Sequence, residues 1–206
     1  MRILQGFLMF LGGLAVLAII ALVTGYVLSI STPDIKNNLR SVVLSSEAVD
    51  SFNKKTADLR TQMSTGLGDI SLTLTEEEVN SMIVMALAEG TIPAKEILIN
   101  FNDGYLMLYS AWNFSMFPVK TGLIGSFDIE NKKPKFLLTK VYVGKLPLPT
   151  GFNSNAQHLT NIIIQLSPMV YNSQINYKEI TITKGKIKLV GSVDRLNTAT
   201  NALPAK

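Results

Sequence analysis

DISLTLTEEEVNSMIVMALAEG, residues 69–90, contains the change of period that decides how this chain folds. Asp69-Ile70-Ser71-Leu72-Thr73-Leu74 alternates polar with apolar, which places Ile70, Leu72 and Leu74 on one buried face of a strand. At Thr75 the spacing becomes helical. The Thr75 hydroxyl is placed to accept from the third N–H of the helix while Glu78 reaches back, the pattern of a capping box. Val79, Met82, Ile83, Ala86 and Leu87 make the buried stripe of that helix, and Gly90 suits its end. Glu76, Glu77 and Glu78 fall in the first turn, where free N–H groups and the helix dipole favour carboxylates. Their clustering therefore calls for no metal and no acid–base chemistry.

Downstream the period is mostly two. Ile97, Ile99 and Phe101 lead to Asn102-Asp103-Gly104, whose Asp-Gly pair suits a hairpin that needs positive φ. The return stretch, Tyr105 to Phe114, is apolar on both faces: Leu106, Leu108, Trp112 and Phe114 alternate with Tyr105, Met107, Tyr109 and Ala111. Such a strand is covered on both sides or lines a cavity. Val119, Thr121, Leu123 and Phe127 mark another strand, broken by Gly122 and Gly125 where a curved sheet can bend. Lys132-Lys133-Pro134 reads as a turn, and Phe136, Leu138, Val141 and Val143 as the strand after it. The prolines of Gly144-Lys145-Leu146-Pro147-Leu148-Pro149 end its pairing. A second helix over 155–166 presents Leu159, Ile162, Ile163 and Leu166 before Ser167-Pro168 stops it. Two last strands carry Ile175, Tyr177, Ile180 and Ile182, then Ile187, Leu189 and Val193, joined at Lys184-Gly185. Lys186 and Lys188 read as the solvated side of an edge strand.

Upstream, Ser31 to about Gly68 is polar, with a narrow helical stripe. Ile35, Val42, Val49 and Met63 share one seven-residue register, and Phe52 and Leu59 a second. This predicts a stalk helix that docks on its own domain or on a partner. Before it, Phe7 to Leu28 is an apolar run without a charge. As a helix, 22 residues rise about 33 Å, enough to cross a hydrocarbon core of roughly 30 Å. A cleaved secretory signal is the competing reading, with Ser29 and Ser31 as small residues near the cleavage point. The run exceeds the usual apolar length of such signals, about 7–15 residues, and cleavage would put Pro33 second in the mature chain, so an uncleaved signal anchor is the better reading. Arg2 and the terminal amine face Lys36 and Arg40 across the span, and the short leading tail places the N-terminus in the cytoplasm and the domain outside. Ala21, Gly25 and Ser29 recur every four residues, a stripe that permits close helix contact.

The organisation expected is a cytoplasmic tip and anchor over 1–30, a stalk over 31–68, one α+β extracytoplasmic domain over 69–196 and a fraying tail over 197–206. In that domain a curved antiparallel sheet packs on one or two helices. The chain has no cysteine, which excludes disulfides, iron–sulfur ligation and thiol nucleophiles. A net charge of +4 suits residence beside an anionic bilayer. Nucleic acid is a poor partner, since the lysines are scattered through strand-like segments without an arginine-rich run or zinc ligands.

Ser71-Leu-Thr-Leu-Thr-Glu-Glu-Glu-Val-Asn-Ser-Met-Ile83 and Tyr142-Val-Gly-Lys-Leu-Pro-Leu-Pro149 resemble the YpmS family of bacterial single-pass membrane proteins. The order of elements over about residues 70–195 is similar too. The resemblance implies an architecture and a membrane address. More distantly the chain resembles tubular lipid-binding domains, in which a curved antiparallel sheet wraps a helix around an apolar channel.

Catalytic residues are scarce. The single histidine, His158, has no neighbouring nucleophile or second metal ligand in the sequence, so neither a metal nor a cofactor is expected. Ser51-Phe-Asn-Lys54 and Lys120-Thr-Gly122 match motifs of penicillin-binding enzymes, but the first falls on the stalk and the second within a strand. The leading expectation is a non-enzymatic domain tied to the bilayer through residues 7–28. It would bind a lipid or another apolar ligand between sheet and helix, lined by Met82, Ile83, Leu87, Leu106, Leu108, Trp112, Phe114, Phe136 and Leu138. A closed hydrophobic core would use the same residues. The alternative function is a structural or accessory subunit that scaffolds a partner protein in the cell envelope.

Overall fold

A computed structural model describes residues 20–65, 68–114, 117–149 and 175–193. Helix α1 occupies 20–30, and a 3-10 turn follows at Asp34–Asn38. Next come α2 (Ser46–Thr65), β1 (Asp69–Thr75), α3 (Glu76–Ala88), β2 (Ala94–Asn102), β3 (Tyr105–Phe114), β4 (Phe117–Glu130), β5 (Lys133–Val143) and β6 (Leu146–Pro147). After the interval 150–174, β7 (Ile175–Thr183) and β8 (Lys186–Val193) complete the order. The second helix expected over 155–166, His158 and the tail over 197–206 lie outside the described residues.

The chain is α+β, and it carries two antiparallel sheets where a single curved one was expected. Strands β2 to β6 form a five-stranded meander in chain order. The second sheet has the order β1-β8-β7, because β1 pairs with β8, more than a hundred residues later, along Asp69 to Thr75. This corrects the reading of Lys186 and Lys188. Their strand is the central one, and the two exposed lysines occupy its solvent face instead of a free edge.

Alternation in β1 buries Ile70, Leu72 and Leu74. These meet Ile182, Ile187, Leu189 and Tyr177 of their own sheet and, across the core, Phe101, Leu106 and Phe136 of the larger one. Phe127 and Phe136 pack edge to face, with ring centroids 5.2 Å apart. Backbone bonds tie the sheets together at their margins: the Gly104 N–H donates to the Ile182 carbonyl, Gly185 to Phe101 and Tyr177 to Lys132. Phe52, Leu59 and Met63 of α2 pack on this same core.

The turns follow their chemistry. Gly104, at φ +83°, closes the β2–β3 hairpin at the expected place. The β4–β5 turn is one residue earlier than the sequence suggested: Asn131 and Lys132 take positive φ, as a two-residue hairpin of this hand requires, and Pro134 lies within β5 opposite Ile129. There β5 has no other strand beside it, so the missing proline N–H breaks no ladder. Strand β4 runs unbroken through both of its glycines. The irregularity comes as a register shift between Ile124 and Gly125, where a side chain on Gly125 would strike the Phe136 ring.

The predicted stalk differs most. Pro33 opens a short 3-10 turn, the chain then runs extended, and α2 begins only at Ser46, where the Ser45 hydroxyl accepts from the Ala48 N–H at 3.1 Å. Residues 33–40 lie as a strap on the second face of the large sheet. Ile35 sits against Gly122, where a Cβ would meet its methyl group, and the Lys36 ammonium stands 4.5 Å from the centre of the Tyr109 ring. This explains why β3 is apolar on both faces: Leu106 faces the other sheet, while Met107 and Tyr109, both buried, face the opposite way.

Candidate functional site

Of the nine residues proposed as an apolar lining, four belong to or pack on the core between the sheets and three stand outside it. Leu106 and Phe136 are buried in the core between the sheets, and Leu108 and Leu138 pack against it. Met82, Ile83 and Leu87 are half-buried on α3 and stand outside that cluster. Trp112 is half-buried and donates its indole N–H to the Ser110 hydroxyl at 2.8 Å, which in turn bonds Thr121 at 2.6 Å. Phe114 ends β3, and its side chain lies outside the described part of the structure. A cleft of about 310 Å³ does occur, but between α2 and β1, where Lys55, Asp58, Gln62, Ser71 and Thr73 accompany Leu59 and Leu72.

Helix α3 docks through its polar residues. Glu76, Glu78, Asn80 and Ser81 are buried, whereas its apolar residues are half-buried or exposed. The capping box forms as the sequence indicates, with the Glu78 N–H donating to the Thr75 hydroxyl and the Thr75 N–H donating to Glu78. The carboxylates do more than suit the helix dipole. Strand β2 is an edge, and Asn80 satisfies it: the amide donates to the Ile99 carbonyl at 2.7 Å and accepts from the Ile99 N–H at 2.9 Å. One turn earlier, Glu76 accepts from the Phe101 N–H at 2.9 Å and pairs with Arg40. Arg40 also donates to Asn102 and to the Phe101 carbonyl, so the strap, the helix and the strand edge meet at one guanidinium.

Glu78 is only 4 % exposed and takes three partners, Lys55, Ser51 and the Thr75 N–H. Burial alone would raise its pKa, but the bonds from Lys55, Ser51 and Thr75 outweigh it and hold the carboxyl below the usual range. Lys36 is shifted the other way: burial disfavours its charge, and the Glu96 carboxylate at 2.7 Å more than restores it. Such an arrangement fixes geometry. Of the two enzyme-like motifs, Ser51 donates to a carboxylate already held by a lysine, and Lys120 donates to Thr32. Among the described residues, no group of three or more His, Asp or Glu is placed to hold a metal ion.

Sequence reasoning passed over Arg40, Glu76 and Asn80 as a unit. The available signal was an asparagine inside an apolar helical stretch, four residues after a glutamate and therefore on the same face. Its partner, a strand edge, is fixed only by the tertiary fold.

A second junction holds α1. The Lys145 N–H donates to the Leu28 carbonyl at 2.8 Å, the Gly144 N–H donates to the Lys120 carbonyl at 2.8 Å, and the Lys120 ammonium donates to the Thr32 hydroxyl at 2.9 Å. Gly144 has φ +58°, and a Cβ there would run into the carbonyl oxygens of Leu28 and Ser29. Gly144 and Lys145 thus receive the C-terminal end of α1. Farther along that helix Ile20, Leu22, Val23, Tyr26 and Val27 are exposed, Leu22 by 74 %. Residues 20–30 rise about 16 Å as a helix, and among the described residues no helix is long and apolar enough to cross a membrane. Residues 7–19 of the apolar run lie outside the described residues.

No family model, curated protein or solved structure matches the chain.

Proposed function

We propose that this chain is a single-pass, membrane-tethered, non-enzymatic domain displayed on the extracytoplasmic face, where it serves as a structural or accessory element that holds a partner protein in the cell envelope. The observation that carries the tether is α1, whose large apolar side chains stand exposed although the sheets keep theirs in a packed core. Exposed apolar surface of that extent calls for an apolar environment, and the uncharged run from Phe7 supplies the length. The accessory role is favoured over ligand carriage by the placement of Leu106, Leu108, Phe136 and Leu138, which fill the space between the sheets. Its non-enzymatic character is supported by carboxylates and lysines that are engaged with one another.

A second reading, a lipid or other apolar ligand held between sheet and helix, is favoured by Met82, Ile83 and Leu87, half-buried beside β2 and outside the main core. Native mass spectrometry of the full chain purified from cells separates the two. A lipid-free mass supports the accessory reading; a stoichiometric co-purifying lipid replaces it with the carrier. Orientation is tested by adding protease to intact protoplasts that express the chain. Digestion of the domain is expected, and protection would place it on the cytoplasmic side.

A further inference from the structure

Two edge strands lie beside helices, and their edges are treated differently. That of β2 is closed by Asn80 and Glu76, which bond the backbone of Ile99 and Phe101. Strand β1 has β8 on one side and no strand on the other. Its Thr73 carbonyl accepts from the Lys55 ammonium at 3.0 Å, so Thr73 turns its backbone groups away from β8, and the alternation of an antiparallel ladder makes Ser71 do the same. At the end of the strand Glu78 takes the Thr75 N–H. Among the described residues, the Ser71 N–H and carbonyl and the Thr73 N–H stay open. Ser71 and Thr73 line the cleft of about 310 Å³ between β1 and α2, with Leu59, Leu72, Lys55, Asp58 and Gln62. The Lys55 ammonium is held by Glu78 at 2.6 Å, whereas exposed Asp58, three residues on, makes no ion pair among the described residues. A groove between a helix and an open strand edge, carrying one uncompensated carboxylate, fits an extended chain with a basic side chain.

We propose that an extended peptide segment of the partner protein adds to β1 as an antiparallel strand in this cleft, with a lysine or arginine opposite Leu72. The stem of that side chain lies on Leu59 and Leu72, and its charged head meets Asp58. The partner residue opposite Ser71 exchanges two backbone hydrogen bonds with it, and the one opposite Thr73 accepts from the Thr73 N–H. This rests on the accessory reading above and names the surface by which the partner is held.

The test titrates a short, capped, fluorescein-labelled peptide of alternating threonine and valine with a central lysine against the full-length protein in mild detergent, reading fluorescence anisotropy. Saturable binding is expected, about tenfold weaker when the central lysine is replaced by glutamate. It should be lost when the peptide nitrogen that pairs with Ser71 is methylated. Asp58→Asn should remove the preference for lysine over glutamate. Ser71→Pro, which deletes an outward N–H and leaves the ladder to β8 intact, should abolish binding. In the complex, amide exchange should slow at Ser71 and Thr73 and stay unchanged at Ile99. Absence of binding, binding indifferent to methylation, or equal affinity for the lysine and glutamate peptides overturns the inference. The methylated peptide leaves the protein unaltered, so a poorly folded variant does not decide the outcome. Slow exchange at Ser71 in a concentration-dependent dimer without peptide also overturns it, by giving the edge to a second copy of the chain. These outcomes leave the accessory reading standing, since that reading falls with a co-purifying lipid.

Discussion

Asn80 stands in for a neighbouring strand to Ile99, giving and receiving one hydrogen bond each at 2.7 and 2.9 Å while its own side chain is completely buried. An edge strand exposes a row of unpaired backbone groups that invites association with other chains, and proteins blunt such edges by covering them. Here the cover is a helix whose amide and carboxylate side chains reproduce the bonds of a ladder. The residues that most resemble a functional constellation, the acidic run at 76–78 and the asparagine after it, are therefore the joint between helix and sheet.

Replacing Asn80 with Leu leaves the half-buried Ile99 N–H without its partner and removes one of the two donors to the Ile99 carbonyl, the other being the Asn100 side-chain amide at 3.0 Å. A loss of about 2–4 kcal/mol of folding stability is expected. It is read as a lowered midpoint in chemical denaturation, followed through the single tryptophan. An unchanged midpoint would show that the amide bonds contribute nothing net.

The depressed pKa of Glu78 predicts an acid-sensitive stability. A carboxyl held lower in the folded chain than in the unfolded one contributes stability that is fully present above its unfolded pKa and is lost as pH falls through the folded value. Unfolding midpoints should therefore decline below about pH 4. In Glu78→Gln that decline should be shallower, from a lower starting stability at neutral pH. Parallel acid limbs for the two proteins would contradict the assignment.

Tyr177 should ionise late. Burial pushes it up to about 12. Since its folded pKa lies above the unfolded value near 10, burial stabilises the fold at lower pH, and that contribution is lost as pH rises from about 10 to 12. Ultraviolet titration should show a late-ionising tyrosine in the wild type that is absent from Tyr177→Phe.

Gly144→Ala should loosen α1 from the domain. The substitution puts a Cβ at positive φ against two helix carbonyls, a local cost of about 1–3 kcal/mol. Faster amide hydrogen exchange at Gly144 and Lys145 is expected, while Ile99 and Phe101 in the distant joint keep their protection. Acceleration at both places would mean general destabilisation.

How much of this was legible in the sequence depends on the range of each interaction. β1, the capping box, α3 and the Asp103-Gly104 hairpin were readable because period and turn chemistry are local. The pairing of β1 with β8 was not, because two alternating strands separated by more than a hundred residues carry no mark of each other, and the expected single sheet became two. The strap escaped for a related reason: Ile35 follows a heptad register with Val42, yet its partner is the bare backbone of Gly122. Of the proposed lining, Leu106, Leu108, Phe136 and Leu138 belong to or pack on the core between the sheets, whose covering comes from β7 and β8 more than from α3.

The tether is tested most directly by washing membranes from cells expressing the full chain with alkaline carbonate, which strips peripheral proteins and leaves spanning helices in place. The account predicts that the intact chain stays in the membrane pellet. Its quantitative release into the supernatant would contradict the claim that the leading helix crosses the bilayer.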